Sequence, residues 1–224
     1  MPTTWLWIGG ILAVLNWAAV EKNWKPVEYI AKPGTMVALL AWLWTATGLG
    51  GPALPFALGL LFSLAGDVFL MLPRQPFLAG LVAFLLAHVC YIIGFNPSLP
   101  PLNLISLTMA ILVGAAAGAF FRRLSLALAQ KNLNSLRLPV TVYAGVISLM
   151  LLSALLTLTR EEWATLPALL ASAGAAFFFL SDSLLAWDRF VAPLSHRGLK
   201  VMITYHLGQF AIIAGVVFHV LSSR

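Results

Sequence analysis

Eight apolar runs alternate with short polar loops along this chain, over residues 4–20, 33–49, 54–72, 77–95, 102–121, 138–158, 165–187 and 199–220. Each run is 17 to 23 residues long, close to the roughly 20 that carry an α-helix across a bilayer. Pro and Gly punctuate their ends, as at Pro33-Gly34, Gly50-Gly51-Pro52, Pro73, Pro100-Pro101, Pro139 and Pro167. The pattern predicts an all-α fold: a polytopic membrane bundle of eight transmembrane helices, forming a single integral-membrane domain over 1–224. The longest loop, 122–137, is basic and polar and is expected to hold a short interfacial helix. The tryptophans fall mostly near run ends, as in an aromatic belt.

Composition strengthens this picture. Hydrophobic residues make up 61% of the chain and charged residues 9%, and mean hydropathy is +0.96. These values exclude disorder and an ordinary soluble domain. The net charge of +6 does not imply nucleic acid, because the basic residues sit in short loops between spans. Cys90 is the single cysteine, so neither an intramolecular disulfide nor a cysteine metal cluster can form. No positive stretch precedes the first run, which therefore reads as a retained helix rather than a signal peptide.

Charge also sets orientation. The loops after helices 1, 3, 5 and 7 hold eleven basic residues, from Lys22, Lys25 and Lys32 through Arg74 to Arg197 and Lys200; the other side holds two, Arg160 and Arg224. Positive residues collect on the cytoplasmic side, so both termini are expected outside, in the inner or plasma membrane if the chain is bacterial.

Ionisable residues inside the runs then become the candidate chemistry. A charge at the bilayer centre costs about 2.5–3.5 kcal/mol on insertion scales, and such residues usually face a bundle interior or a wet cavity. Asp67 and Asp182 lie in helices 3 and 7 at matching depth, about 8–9 Å inside the cytoplasmic boundary at 1.5 Å per residue. No basic residue is expected at that depth to pair with them. They are therefore read as a catalytic acid–base pair, within about 8 Å of each other. Gly66, which opens the backbone beside Asp67, favours Asp67 as the acid. Ser181 and Ser183, as hydrogen-bond donors to Asp182, favour Asp182 as the base that holds water. The plainer alternative is helix-packing hydrogen bonds to neighbouring polar side chains.

Further candidates surround the pair as substrate contacts. Ser63 lies one turn before Asp67. His88 and Tyr91 share a face of helix 4, and Tyr205, His206 and Gln209 present one polar face of helix 8. Lys32, at the start of helix 2, is placed at the cytoplasmic surface as a cation for a lipid phosphate. An Asp–Asp–His–His set could bind zinc, but the chain has no HExxH or close His pair, and no metal or cofactor is assigned. Gly59-xxx-Ser63 and Gly114-xxx-Gly118 are packing signals that permit close helix approach. Similar Gly66-Asp67 and Ser181-Asp182 stretches, each followed by a His, suggest a parallel duplication of helices 1–4 and 5–8; chance is the rival for so few positions.

Lys32-Pro33, SLAGDVFLML (63–72), FLAGLVAFLLAHVCYIIGF (77–95), SDSLLAWDRF (181–190) and TYHLGQFAI (204–212) together resemble the lysoplasmalogenase family, over most of the chain. The resemblance implies an eight-helix membrane hydrolase that cleaves the vinyl ether of a lysophospholipid to a fatty aldehyde and glycerophosphoethanolamine or glycerophosphocholine. It implies Asp67 and Asp182 at the family's acidic positions, and His88 and Tyr91 at its His and Tyr positions. The chain departs from the family at His206 and Gly208, where a second Tyr and an Ala are more usual. The expected partners are the lysophospholipid substrate and the bilayer, with no nucleic acid and no protein partner implied. Two other readings stay open. One is a small proton-coupled transporter with an Asp/His relay. The other is an intramembrane aspartyl protease, whose GxGD pattern is broken here at Leu64.

Overall fold

The computed structural model describes residues 3–73 and 76–223. Arg74 and Gln75 of the expected 73–76 turn, and Arg224, lie outside the described residues. Within the described residues the chain forms eight α-helices and no strand. They are α1 (Thr4–Glu21), α2 (Lys25–Thr47), α3 (Leu54–Met71), α4 (Phe77–Phe95), α5 (Leu104–Gln130), α6 (Arg137–Leu156), α7 (Thr165–Ala186) and α8 (Arg197–Ser222). Seven of them are long and apolar enough to cross a membrane. The eighth, α2, has 23 residues but carries Lys25, Glu28 and Lys32 in its first turns.

Two boundaries differ from the sequence expectation, and both matter. Helix α2 begins eight residues earlier than the apolar run, at Lys25, and continues through Pro33. Proline within a helix removes one backbone hydrogen bond, yet here the flanking turns hold. Lys32 is therefore seven residues inside a helix rather than at its start. Helix α5 likewise runs on through the basic stretch to Gln130, so the expected separate interfacial helix is the end of α5 itself. Its start is set by a capping box in which Asn103 Oδ1 accepts from Ser106 N and Ser106 Oγ accepts from Asn103 N, at 2.9 and 3.0 Å.

Helices pack in sequential pairs, α1 on α2, α3 on α4 and α7 on α8, with α8 also against α1 and α2 and α6 bridging α4 and α7. Small residues allow the closest of these approaches. A Cβ on Gly208 of α8 would stand 2.8 Å from Phe178 N of α7, so a larger residue there would push the two helices apart. Gly66 is not an open stretch of backbone: a Cβ there would lie 2.6 Å from the Phe84 ring of α4. Gly114 and Gly118, by contrast, face open space. Helix α5 stands at the margin of the bundle, against α6 and a π-helical turn over Trp187–Val191 that follows α7. The core between α2, α3, α4, α7 and α8 is filled by Leu39, Phe56, Leu60, Tyr91, Phe178 and Ile212.

Candidate active site

Helices α3 and α7 bring their aspartates to the same level, each four residues before its helix ends, at Met71 and Ala186 respectively. Both line one cavity of about 270 Å³. Each is held by a different set of partners.

Asp67 is fully buried. Its Oδ2 accepts from Tyr205 Oη at 2.8 Å, and Lys32 Nζ lies 3.1 Å from Oδ1. That ion pair is close but is not an aligned hydrogen bond, so Oδ1 keeps a lone pair without a donor. Lys32 is only 5% exposed. The sequence expectation that no basic residue reaches the aspartates is thus corrected. The seven extra residues of α2 before Lys32 carry the ammonium inward to the level of α3. An isolated buried charge would be costly, and an opposite charge at this distance offsets part of that cost.

Asp182 is partly open, its side chain 15% exposed. Its Oδ2 accepts a short hydrogen bond from the Tyr143 hydroxyl. His88 Nε2 lies 3.3 Å from the same oxygen and 3.1 Å from Tyr143 Oη. His88 is fully buried and is wedged against Phe178, with ring centroids 4.7 Å apart. Asp182 Oδ1 accepts no hydrogen bond among the described residues, and Asp182 lines the cavity. The flanking serine expected to support Asp182 does not do so, because Ser181 donates instead to Val201 O at 3.1 Å, tying α7 to α8.

The other candidates divide. Tyr91 donates to Gln209 Oε1 at 2.7 Å and Gln209 Nε2 donates to Ser63 Oγ at 2.9 Å. This chain joins α4, α8 and α3 one turn below Asp67. Its three members are buried and do not line the cavity, so they brace the Asp67 helix rather than face a ligand. Tyr205 does line the cavity. His206 does not: one position along α8 from Tyr205, it turns about 100° away. There it accepts a 3.0 Å hydrogen bond from Trp17 of α1 on Nδ1. Tyr143, which meets Asp182 and His88, is the neighbour of the carboxyl that sequence reasoning passed over. Its signal was a polar ring within the apolar run of α6.

Charge and polarity are distributed unevenly around the cavity. Lys25, Glu28, Arg189 and Arg197 stand on its wall together with Lys32. Lys25 pairs with Glu28 at 2.8 Å, and the Arg189 guanidinium lies 4.1 Å over the Phe77 ring. At its other side, beside Asp182, Phe84 and Leu185, the cavity meets a slot of almost wholly apolar lining. Arg197 pairs with Asp188 at 3.4 Å, so the site joins a compartment lined by charges of both signs to an apolar one, with the Asp182 carboxyl on the seam between them. Among the described residues no three His, Cys, Asp or Glu side chains converge as metal ligands would.

The YhhN family pattern matches residues 27–216. The chain belongs to the YhhN family. This YhhN-family chain is 33% identical over 200 residues to lysoplasmalogenase TMEM86B of Homo sapiens, which spans 88% of this chain and 75% of that protein. It is 31% identical over 193 residues to a lysoplasmalogenase of Mycobacterium tuberculosis, covering 82% and 68% of the two chains. The uncharacterized membrane protein YhhN of Shigella flexneri is 27% identical over 214 residues, or 93% and 97% of the two chains. No solved structure matches this YhhN-family chain. Every residue of both carboxylate groups, from Lys32 to Gln209, lies inside the matched span.

Proposed function

We propose that this chain is a multi-pass membrane enzyme that hydrolyses the vinyl ether of lysoplasmalogens, with all eight helices crossing the bilayer and both termini outside. The observation that carries the reading is the junction of compartments at Asp182. A single-chain phospholipid has the same layout: charged head, reactive ether, apolar tail. The curated lysoplasmalogenases among the relatives support the same reaction.

The chemistry assigns a role to each carboxyl. Hydrolysis begins with transfer of a proton to the vinyl carbon remote from oxygen, which leaves an oxocarbenium ion. Water adds to the carbon that bears the oxygen and gives up a proton. The resulting hemiacetal breaks its C–O bond, releasing an aldehyde and the glycerol hydroxyl. One acid and one base suffice.

Asp67 is paired with Lys32 and receives the Tyr205 hydroxyl, which suits the role of base. It would stabilise the cation in a low-dielectric site and take the proton from water. Asp182 has His88 Nε2 3.3 Å from its Oδ2, a partner with which it can exchange a proton. Asp182 lines the cavity with its side chain 15% exposed, whereas Asp67 is fully buried, so Asp182 is the better acid. This exchanges the roles that Gly66 and the two serines suggest, for Phe84 covers Gly66 and Ser181 is engaged with α8.

Arg189 would receive the phosphate, with Lys25 and Arg197 joining it if they exchange Glu28 and Asp188 for the lipid, on the side expected to be cytoplasmic. The test is direct. Purified protein is incubated with a lysoplasmalogen and free aldehyde is assayed; no release above that of an Asp182→Asn variant would reject the reading.

A further inference from the structure

We infer that the apolar slot between α4, α5, α6 and α7 seats the substrate's alkyl chain, with Ala117 and Ala144 setting its width. The inference rests on the lysophospholipid reading above and names where the tail goes.

The slot is built from one face of each helix. Leu81 and Phe84 on α4, Ala117 and Phe120 on α5, and Ala144 and Ile147 on α6 all turn toward it, at spacings of three residues that share a helix face. Its interior space is about 70 Å³. The polar atom furthest from the site, Ser148 Oγ, is already bonded to Ala144 O at 2.6 Å. The remaining polar groups, Asp182, Tyr143 and Ser183, lie on α6 and α7. A void with such walls stays dry and accepts apolar ligands.

Two connections give it direction. On one side it shares Leu70, Phe77, Phe84, Asp182 and Leu185 with the charge-lined cavity, so the two spaces meet along a seam that includes the carboxyl. On the other it shares Phe120, Phe179 and Ser183 with a wider groove of about 450 Å³ between α5 and α7. That groove opens at the outside of the bundle beside Leu180, which is 45% exposed. The opening exists because α5 stands apart: of its 27 residues only Ser106, Leu124, Ala127 and Leu128 are buried. From Val140 to Ser148 the slot spans about 12 Å of α6 at 1.5 Å per residue. It therefore holds the part of the chain next to the ether, and the rest passes through the groove into the bilayer. The same groove is the lateral way in. Ala117, Ala144 and Ala186 are the smallest side chains on the wall, and a ring at Ala117 or Ala144 would fill the space.

Photocrosslinking decides the point without relying on turnover. The probe is a lysophosphatidylethanolamine with a diazirine near the head-group end of its chain, irradiated with the intact protein in bilayers and mapped by peptide mass spectrometry. Adducts are expected between residues 117 and 148, between 77 and 84 and between 179 and 186, and they should fall to background in Ala144→Phe. Ala117→Phe, from the facing helix, should do the same, which guards against misfolding of one variant. Adducts confined to other helices, or adducts in the slot that neither substitution diminishes, overturn the inference. Adducts in the slot with no aldehyde released from lysoplasmalogen keep the chain site and reject the hydrolase; aldehyde release with adducts elsewhere does the reverse.

Discussion

Lys32 and Asp67 form a buried ion pair, 3.1 Å apart, between the second and third helices. The pair changes what substitution of Lys32 should do. Removing one member of a buried pair strands the other and costs about 3–5 kcal/mol. Lys32→Met is expected to lower the unfolding temperature in detergent and to reduce kcat, because Asp67 then takes up a proton. The double variant Lys32→Met/Asp67→Asn should recover stability without recovering activity. A Lys32→Met protein that changes only KM would return this lysine to a purely phosphate-binding role.

The two aspartates are expected to act as one unit. Asp67→Asn and Asp182→Asn should each lose at least about 10²-fold in kcat. The double variant should be little worse than either single, since residues of one catalytic unit are strongly non-additive. Near-normal aldehyde release from either folded single variant would defeat the pair.

Tyr143 and Tyr91 offer a contrast between two buried hydroxyls. Tyr143 donates to Asp182, so Tyr143→Phe should lower kcat by about tenfold or more, the scale of a hydrogen bond to a charged group, with KM little altered. Tyr91 donates to Gln209. Tyr91→Phe should instead cost about 1 kcal/mol of stability. Equal kinetic losses in the two variants would show that the Gln209 chain also reaches the substrate.

His206 should prove structural. Its ring is packed against Trp17, 6.2 Å between centroids, and accepts the indole N–H. His206→Leu is expected to destabilise by about 1 kcal/mol, as for one lost hydrogen bond, and to keep kcat and KM close to those of the unaltered protein. A large rise in KM would bring His206 back among the substrate contacts.

Eight crossings with an outside C-terminus predict that an alkaline phosphatase fusion after Arg224 is active and a cytoplasmic reporter there is silent. The opposite result would mean that α2, the least apolar helix, does not cross.

The linear order of residues was enough to determine the class of fold and the level of the chemistry. Runs of about 20 apolar residues have little alternative in a bilayer but helices that satisfy their own backbone. Asp67 and Asp182 could be ranked as candidates because hydrocarbon penalises a carboxylate wherever it lies in such a run. Which side chain faces which neighbour was a matter for the tertiary structure. Tyr205 and His206 are adjacent in sequence, yet one meets Asp67 and the other Trp17, because a helix turns each residue about 100° from the last. Periodicity could not separate them in helices apolar on nearly every side. Lys32 looked like a surface cation because the apolar run begins after it, whereas α2 starts at Lys25 and delivers the ammonium to α3. Tyr143 became part of the site only through the packing of α6 against α4 and α7. Contacts between helices far apart in the chain depend on rotation and tilt, which are set by small residues such as Gly208 and by the shapes they admit, and no local pattern in the sequence encodes them.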